Sequence, residues 1–365
     1  MQALAVLPHE RKLELIDVPR PSAPAPTEAL LKVREVGLCG TDREISSFEY
    51  GEPPAGCRYL VLGHESVAEV VEVGSAVRTL KPGDLVVALV RRPCPHAECL
   101  PCRADRSDFC HTGDFTERGI KEAHGFLTDY AIDDERFLVR VPQPLAEVAV
   151  LIEPLTVIAK AFAQAHAIFD RLPYEGGPRR GLILGAGPIG LLGAMAAIAD
   201  GLETVVYSRG PENGERADLA RAFGASFVSA DTQPLESLAG RTGEFKLVLE
   251  AVGVASVMMA TPRVLQANGV AILTGIPAEG ATVEMDVGRL LRDLVLKNQV
   301  MFGTVNAARQ DYMYAIDQLE RFMTLFPQSV RKLITERVPL ARAAETLLHA
   351  GGIKSVVQID QSLRT

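Results

Sequence analysis

A thiolate, an imidazole and several acids occur in three short motifs that lie far apart in the sequence. GLCGTD contains Cys39, Thr41 and Asp42, GHE contains His64 and Glu65, and IEPL contains Glu153. Zinc binds this mixture of sulfur, nitrogen and oxygen donors, and a catalytic zinc site keeps one position for water or substrate. Each residue alone is typical of an ordinary buried side chain, so only a fold that gathers the motifs would make them a site.

Four of the six cysteines lie within PCPHAECLPCRADRSDFC, residues 93–110. They are Cys94, Cys99, Cys102 and Cys110, with gaps of four, two and seven residues. Four thiolates in one short segment indicate a closed structural zinc site, which does not catalyse. We expect it to fix an irregular lobe at residues 94–110, with His96 or His111 as alternative ligands. Cys57 has no role beyond that of a free thiol.

LILGAGPIGLLG contains Gly185, Gly187 and Gly190 in the spacing GxGxxG, with Pro188 and Ile189 between the last two. An apolar strand precedes the glycines and an Ala-rich helix follows, which favours a dinucleotide-binding turn over an ordinary glycine-rich β–α turn. The first glycine permits the tight turn, the second lets the backbone approach a pyrophosphate, and the third lets the helix pack closely.

The end of the next strand bears on the cofactor's identity. A NAD site usually places an acidic residue there to bond the ribose, whereas this chain has Ser208 and Arg209. Arginine suits a 2′-phosphate because its planar fork donates parallel hydrogen bonds. We therefore expect NADP. Glu212 and Glu215 lie close enough in sequence to keep NAD possible, and a solvated Arg209 is the alternative.

The segments around these motifs predict an α/β chain of two domains. The length of 365 residues exceeds the roughly 250–300 residues that one core usually supports. Residues 1–150 read as β-rich, and residues 151–305 alternate strand and helix, as in a doubly wound parallel sheet. Residues 306–365 carry two helices and a last strand, which we expect to rejoin the first domain.

Bulk properties exclude several function classes. The net charge of −8 argues against nucleic acid and, weakly, against anionic membranes. No apolar run reaches the roughly 18 residues of a membrane span, and the first residues lack a secretory pattern. We expect a cytoplasmic protein whose partner is a small molecule.

In this order, the motifs resemble the zinc-dependent medium-chain alcohol and polyol dehydrogenases over nearly the whole chain. CGTDREI, GDLVVALVRRPC, DFCHTGDFTERGI and FGTVNA are most similar to the glucose 1-dehydrogenase branch. The resemblance implies a GroES-like catalytic domain, a Rossmann domain, two zinc ions per chain, and a homodimer or homotetramer. It also implies hydride transfer from a sugar or polyol hydroxyl to NADP, so that an aldose oxidised at C1 gives a lactone.

The resemblance also implies roles for individual residues near the catalytic zinc. Cys39, His64 and Glu153 would bind the ion, with Glu65 in or beside the ligand set. Asp42 would orient His64. Thr41 would contact the substrate hydroxyl and pass on its proton.

Further residues would contact substrate or cofactor. The resemblance implies that four residues contact the substrate: Asp114 and Glu117 in TGDFTERG, Asn306 in GTVNA, and Glu153. Asn306 would also contact the cofactor. Lys354 in IKSVV is a further candidate for the cofactor phosphates, with a surface lysine as the alternative.

Two positions depart from the sugar-binding pattern. Val90 and Val157 stand where the sugar-specific relatives carry asparagine and aspartate, which makes the predicted pocket drier. D-glucose is the leading substrate, and another sugar, a deoxy sugar or a less polar secondary alcohol are the alternatives. A zinc-free enoyl or quinone reductase would not need the Cys39 and His64 pair. A non-enzymatic nucleotide sensor whose fold is stabilised by zinc is the remaining hypothesis.

Overall fold

The protein consists of two compact units in a computed structural model that describes residues 1–173, 179–349 and 351–360. Unit 1 contains Met1–Thr156, Asn306–Leu319 and the described residues from Ile334 onward, and unit 2 contains Val157–Val305 and Glu320–Leu333. The sequence analysis expected residues 306–365 wholly in the first domain. Residues 320–333 instead group with unit 2, because Phe322 packs on Phe326 and Phe326 packs on Phe223.

The elements before the first gap are mostly short strands. They are β1 (Gln2–Leu7), β2 (Lys12–Asp17), β3 (Glu28–Gly37), α1 (Gly40–Ser46), β4 (Leu60–Val61), β5 (Glu65–Val73), β6 (Leu85–Ala88), β7 (Arg91–Arg92), α2 (Leu100–Arg103), β8 (Thr116–Arg118), β9 (Glu122–Ala123), β10 (Tyr130–Asp134), β11 (Leu138–Arg140) and α3 (Ile152–Phe169).

The elements after that gap alternate between strand and helix. They are β12 (Arg180–Leu184), α4 (Pro188–Ala199), β13 (Glu203–Ser208), α5 (Glu215–Ala222), β14 (Ser226–Ser229), α6 (Leu235–Thr242), β15 (Phe245–Glu250), α7 (Ala255–Ala260), β16 (Leu265–Leu273), α8 (Val287–Leu296), β17 (Val300–Gly303), α9 (Arg309–Leu325), α10 (Pro327–Leu333), β18 (Ile334–Pro339), α11 (Ala343–His349) and β19 (Lys354–Gln358).

The main sheet of unit 1 has the strand order β11-β6-β5-β3-β19-β18, with β10 also pairing with β3. Strand β19 runs antiparallel to β3, so that Val356 stands opposite Gly37. The core of unit 1 is built from buried aliphatic side chains such as Leu31, Val33 and Val357. The pairing of β19 with β3 brings Lys354 to the part of the sheet that carries the first metal motif.

Unit 2 is built on a parallel sheet of order β14-β13-β12-β15-β16-β17 among the described residues. The order reverses between β12 and β15, and ligands bind beyond the carboxyl ends of the strands at such a point. Leu182 and Val248 of these two strands belong to the buried core. The predicted α/β fold class, a β-rich domain plus a doubly wound domain, is confirmed.

No helix in the three described stretches combines the length and the apolar character that a bilayer crossing requires.

Candidate functional site

Cys39 and Asp42 occupy the start of α1, directly after β3. Cys39 precedes the helix with extended backbone angles, φ −111° and ψ 164°. Asp42 is fully buried, and its Oδ2 accepts the Cys39 backbone N–H at 2.9 Å while its Oδ1 accepts the Gly63 N–H at 3.2 Å. One carboxylate therefore joins the loop that carries Cys39 to the loop that carries His64.

The charge of Asp42 is maintained despite its burial. Burial alone would raise the pKa of Asp42, but His64 and the two backbone N–H groups outweigh it and hold the pKa below its usual value. The His64 Nδ1 atom lies 3.5 Å from Asp42 Oδ1. Asp42 thus stands where the sequence analysis expected it, beside His64.

Glu65 begins β5 and faces Gly37 on β3. A Cβ atom at position 37 would lie 2.0 Å from Glu65 Oε2, so only glycine leaves room for this carboxylate. The absence of a side chain at the end of β3 is therefore what admits Glu65 to the site.

The structure brings Cys39, His64 and Glu65 together, with one donor atom from each within 4.8 Å of the others. Thiolate sulfur, imidazole nitrogen and carboxylate oxygen are ligands that Zn²⁺ accepts, and three protein ligands are typical of a catalytic site. His64 Nδ1 is buried beside Asp42 Oδ1, at 3.5 Å, and has no hydrogen-bond partner in the described part of the chain. This donor set fits a zinc ion.

Glu65 carries its own counter-ion. Lys354 Nζ lies 2.7 and 2.6 Å from the two carboxylate oxygens of Glu65 and donates to the Leu38 carbonyl at 3.1 Å. Burial alone would lower the pKa of Lys354, but the Glu65 carboxylate raises it, so the ammonium group stays charged. The prediction that Lys354 contacts cofactor phosphates is wrong, because its three donor positions are already used inside unit 1.

Glu153 and Thr41 lie on the helices that the sequence motifs indicated. Glu153 is in the first turn of α3, and burial raises its pKa to about 7. Both Glu65 and Lys354 act on its charge, which places it near the site, but it is outside the three-residue donor group. Thr41 is a partly exposed residue of α1. Their roles as ligand and proton relay stay predictions.

Cys94, Cys99, Cys102 and Cys110 form the second donor group, again with all donor atoms within 4.8 Å. The four residues between Cys94 and Cys99 do not displace a thiol from the group. They form a turn in which the Cys99 N–H donates to the His96 carbonyl at 3.1 Å. The described residues contain no disulfide between these thiols, so all four are available to a metal.

His96 is not a ligand of the cysteine group in this structure. Its Nε2 pairs with Asp114 at 2.5 Å, and His111 is likewise outside the group. Asp114 therefore pairs with His96 at the surface of the lobe, where the Asp114 side chain is 62% exposed. Its predicted contact with substrate stays a prediction.

Glu117 and Asn306 meet inside unit 1, although 189 residues separate them. Asn306 adopts a left-handed backbone conformation, φ +60°, and its Nδ2 donates to Glu117 Oε1 at 2.7 Å. Arg91 Nε donates to the same oxygen at 3.0 Å. The two predicted substrate residues thus share one buried polar network with an arginine.

The sequence analysis missed three residues in this region. Arg91 is the first, and its only signal was a position directly before the cysteine lobe. Tyr312 is fully buried, and burial and then Glu153 raise its pKa well above the usual value. Partial burial, followed by the Glu117 charge, also raises the pKa of Tyr50. Neither tyrosine belongs to a recognisable motif.

The glycine turn of unit 2 has the predicted strand-turn-helix context. Gly185 follows β12 with φ +106°, a conformation that disfavours other residues, and α4 begins at Pro188. A Cβ at Gly190 would lie 2.1 Å from the Gly185 carbonyl oxygen, whereas one at Gly187 would meet no atom within 4 Å. Gly190 is thus required by packing, and Gly187 leaves open space where a dinucleotide would bind. Ile189 lies in the first turn of the same helix.

Ser208 ends β13, and Arg209 follows it as an exposed residue. The loop is fixed by Gly210, whose N–H donates to Asp231 Oδ2 at 2.7 Å. Among the described residues, Arg209 has no ion pair, and neither Glu212 nor Glu215 is paired with it. The guanidinium is therefore available to an anion.

Glu250 is a further buried acid that the sequence analysis missed. It ends β15 at the point where the strand order reverses, and its Oε1 accepts the N–H groups of Val252 and Gly253. Because β15 pairs with β12, this carboxylate shapes the loop beside the glycine turn.

Comparison with known families gives two matches that together cover most of the chain. Residues 25–143 match the alcohol dehydrogenase GroES-like domain, and residues 146–359 match the glucose dehydrogenase C-terminus.

Individual relatives match over nearly the full length. The chain is 37% identical to glucose 1-dehydrogenase of Methanocella arvoryzae, over 95% of this chain and 96% of that protein. It is 39% identical to glucose 1-dehydrogenase 2 of Vulcanisaeta moutnovskia, over 99% and 100%. The solved structure of Haloferax mediterranei glucose dehydrogenase in complex with NADP, Zn and gluconolactone matches with a TM-score of 0.90, at 31% identity and 99% of both chains.

The two glycines predict opposite mutational effects. Gly190→Ala should lower the free energy of unfolding of the ligand-free protein by about 1–3 kcal/mol, because the new methyl group overlaps the Gly185 carbonyl. Gly187→Ala should leave that stability within about 0.5 kcal/mol but weaken dinucleotide binding. Thermal unfolding and fluorescence titration with NADPH measure the two effects. Equal stability of both variants would contradict the packing role of Gly190.

Metal content tests the two donor groups separately. We expect the wild-type chain to carry two zinc ions, and Cys39→Ser and Cys102→Ser to carry about one each, since each substitution removes a ligand from one group. Cys57→Ser is the control, because Cys57 is exposed and outside both groups. Mass-spectrometric metal analysis gives the stoichiometry. Two retained ions in Cys102→Ser would exclude the four-thiolate site.

Proposed function

Because the chain belongs to the glucose dehydrogenase branch of the zinc-dependent medium-chain alcohol dehydrogenases, we propose that it oxidises an aldose at C1 with NADP. NADP would accept the hydride of C1 and the C1 hydroxyl would release its proton, so that the hemiacetal becomes a lactone. One observation carries the proposal: Cys39, His64 and Glu65 form a donor group that fits zinc. A zinc-free enoyl or quinone reductase has no use for such a group.

Cys39, His64 and Glu65 or Glu153 would hold the catalytic zinc, and the four clustered cysteines would hold the structural ion. When bound, the catalytic zinc would polarise the substrate oxygen and lower the pKa of its hydroxyl, while NADP would take the hydride. Asp42, whose Oδ1 lies 3.5 Å from His64 Nδ1, would orient the imidazole. We assign to Thr41 the contact with the reacting hydroxyl and the transfer of its proton.

The charge of Lys354 has a direct chemical consequence for this site. A thiolate and two carboxylates close together would repel each other and any anion formed on the substrate. Lys354 neutralises Glu65 inside the protein, where charges interact more strongly than in water. Glu153, whose pKa burial raises to about 7, is the second carboxylate beside this donor group.

The buried network around Glu117 supports a substrate with several hydroxyl groups. Arg91 and Asn306 hold Glu117 through Oε1, which leaves Oε2 to accept a substrate hydroxyl group that a less polar alcohol would not supply. Val90 is buried in the core of unit 1, so the position that differs from the sugar pattern contributes apolar packing there. We therefore favour an aldose, with a deoxy sugar or secondary alcohol as the alternative.

Arg209 supports NADP as the preferred cofactor. Its exposed guanidinium follows Ser208 at the end of β13, the place where a NAD site usually has an acid. Gly185, Gly187 and Gly190, with Pro188 and Ile189, would receive the pyrophosphate at the start of α4.

We also propose a homodimer or homotetramer. Strand β17 is an edge of the unit 2 sheet, and Val287, Leu291 and Val295 form an exposed apolar stripe on neighbouring α8.

The cysteines of the described residues form no disulfide, which supports a reducing compartment. We take this compartment to be the cytoplasm.

A substrate screen tests the proposed reaction. With NADP we expect at least one aldose to exceed simple secondary alcohols in kcat/KM by about 100-fold or more, because Glu117 accepts a hydroxyl group that simple alcohols lack. Absorbance of NADPH measures turnover. Cys39→Ser should lose turnover with every substrate while it still binds NADPH. Faster oxidation of simple alcohols than of any aldose would overturn the sugar assignment.

Substitution of Arg209 tests cofactor choice. Arg209→Ala should raise KM for NADP about 10- to 100-fold, the usual value of a charged hydrogen bond to phosphate, and leave KM for NAD nearly unchanged. Arg289→Ala is the matched control, because Arg289 is also exposed but lies on α8, which connects strands at the opposite edge of the sheet. An equal change for both cofactors would refute the phosphate contact.

A further inference from the structure

We propose that Arg91 is a positioning residue that holds the Glu117 carboxylate for the substrate and ties it to the cysteine lobe. The inference rests on the proposed function, since it names a residue that determines how that site recognises its substrate. It follows from which atoms of Glu117 are used and which are not.

Only one oxygen of Glu117 is occupied. Arg91 Nε and Asn306 Nδ2 both donate to Oε1, at 3.0 and 2.7 Å. Oε2 has no hydrogen-bond partner in the described residues. It is not fully buried, so it retains contact with solvent. Glu117 as a whole is only 5% exposed. A buried carboxylate with one fixed oxygen and one accessible oxygen is suited to accept a hydroxyl group of defined position.

Arg91 is held on its other sides as well. Its guanidinium lies over the Phe115 ring, 3.7 Å from the centroid, and Arg91 is itself buried. Stacking on a ring and donation through Nε fix the plane of the group, so that its hydrogen-bonding direction is set before substrate binds. A lysine at this position would keep the charge but lose both constraints.

The remaining contacts of Arg91 come from the cysteine lobe. Arg91 Nη1 donates to the Asp108 carbonyl at 3.4 Å, and Ser107 Oγ donates to the Arg91 carbonyl at 3.5 Å. Ser107 and Asp108 lie in the segment between Cys102 and Cys110, so closure of the four-thiol group sets the position of these partners. The lobe thereby positions a substrate-binding carboxylate through one arginine.

Arg92 provides a matched control within the same strand. It is also buried, pairs with an acid, Asp133, at 2.5 Å, and lies over an aromatic ring, that of Phe137. Because successive residues of a strand face opposite sides, Arg92 does not contact Glu117. A loss of stability common to buried arginines would affect both positions, whereas a loss of positioning would affect only Arg91.

The test compares Arg91→Lys with Arg92→Lys in the full-length zinc-loaded protein. We expect Arg91→Lys to raise KM for the aldose at least about 10-fold with kcat within about twofold, and to discriminate less between the aldose and its deoxy analogues. Arg92→Lys should change neither value by more than about twofold. NADPH affinity and zinc content should equal those of the wild type in both variants. Equal KM changes in the two variants would overturn the proposal.

A double-mutant cycle with Glu117→Gln identifies the carboxylate as the intermediary. If Arg91 acts through Glu117, Arg91→Lys should add little to the KM of Glu117→Gln, and additive effects would contradict the proposal. Should Arg91→Lys fail to fold, Phe115→Leu removes the ring and keeps the charge, and the same KM signature at smaller size is expected. No KM change in Phe115→Leu would then count against the proposal.

Failure of the proposed function is recognised separately. It appears in the wild-type protein, as absent aldose turnover, before any variant is made. A crystal structure of Arg91→Lys then decides the positioning role without a substrate. We expect Glu117 to leave the side chain of Asn306, and an unmoved carboxylate would overturn the inference.

Discussion

The candidate metal site of unit 1 depends on one buried carboxylate, that of Asp42. Cys39 and His64 lie on different loops, and the chain between them could place them in many ways. Asp42 accepts one backbone N–H from the loop of Cys39 and one from Gly63, the residue before His64. Its desolvation is costly, and only the complete set of partners offsets that cost. The loops are therefore correctly placed together or not at all.

A second constraint is electrical neutrality. The site gathers a thiol and two carboxyl groups from the first half of the chain, and the compensating ammonium group comes from Lys354, 289 residues away from Glu65 in sequence. Lys354 begins β19, and the pairing of β19 with β3 brings it beside Glu65. Arg91 likewise pairs with Glu117.

The sequence predicted the features that depend on local spacing. The glycine turn follows from sterics within six residues, and the cysteine group follows from four thiols in one short segment. The motifs also allowed the family, fold class and cofactors to be recognised. Contacts between residues far apart in sequence were not predicted, because the spacing of a motif carries no information on them. Lys354 was assigned to phosphates rather than Glu65, Arg91 was overlooked, and residues 320–333 were grouped with the other domain. The carboxylate that joins the zinc ligands stays a prediction.

The turn that precedes Cys99 shows that the thiol positions do not depend on a fixed residue count. After Cys94 the chain makes a turn, which the hydrogen bond from the Cys99 N–H to the His96 carbonyl closes. This turn brings Cys99 back to the thiol group. Pro95, Ala97 and Glu98 of this turn are exposed, so residues added there would extend into solvent. This position would consequently accept a grafted peptide, such as an affinity epitope or a probe attachment sequence. Sequence searches for tetrathiolate lobes should therefore allow a gap of variable length between the first two cysteines.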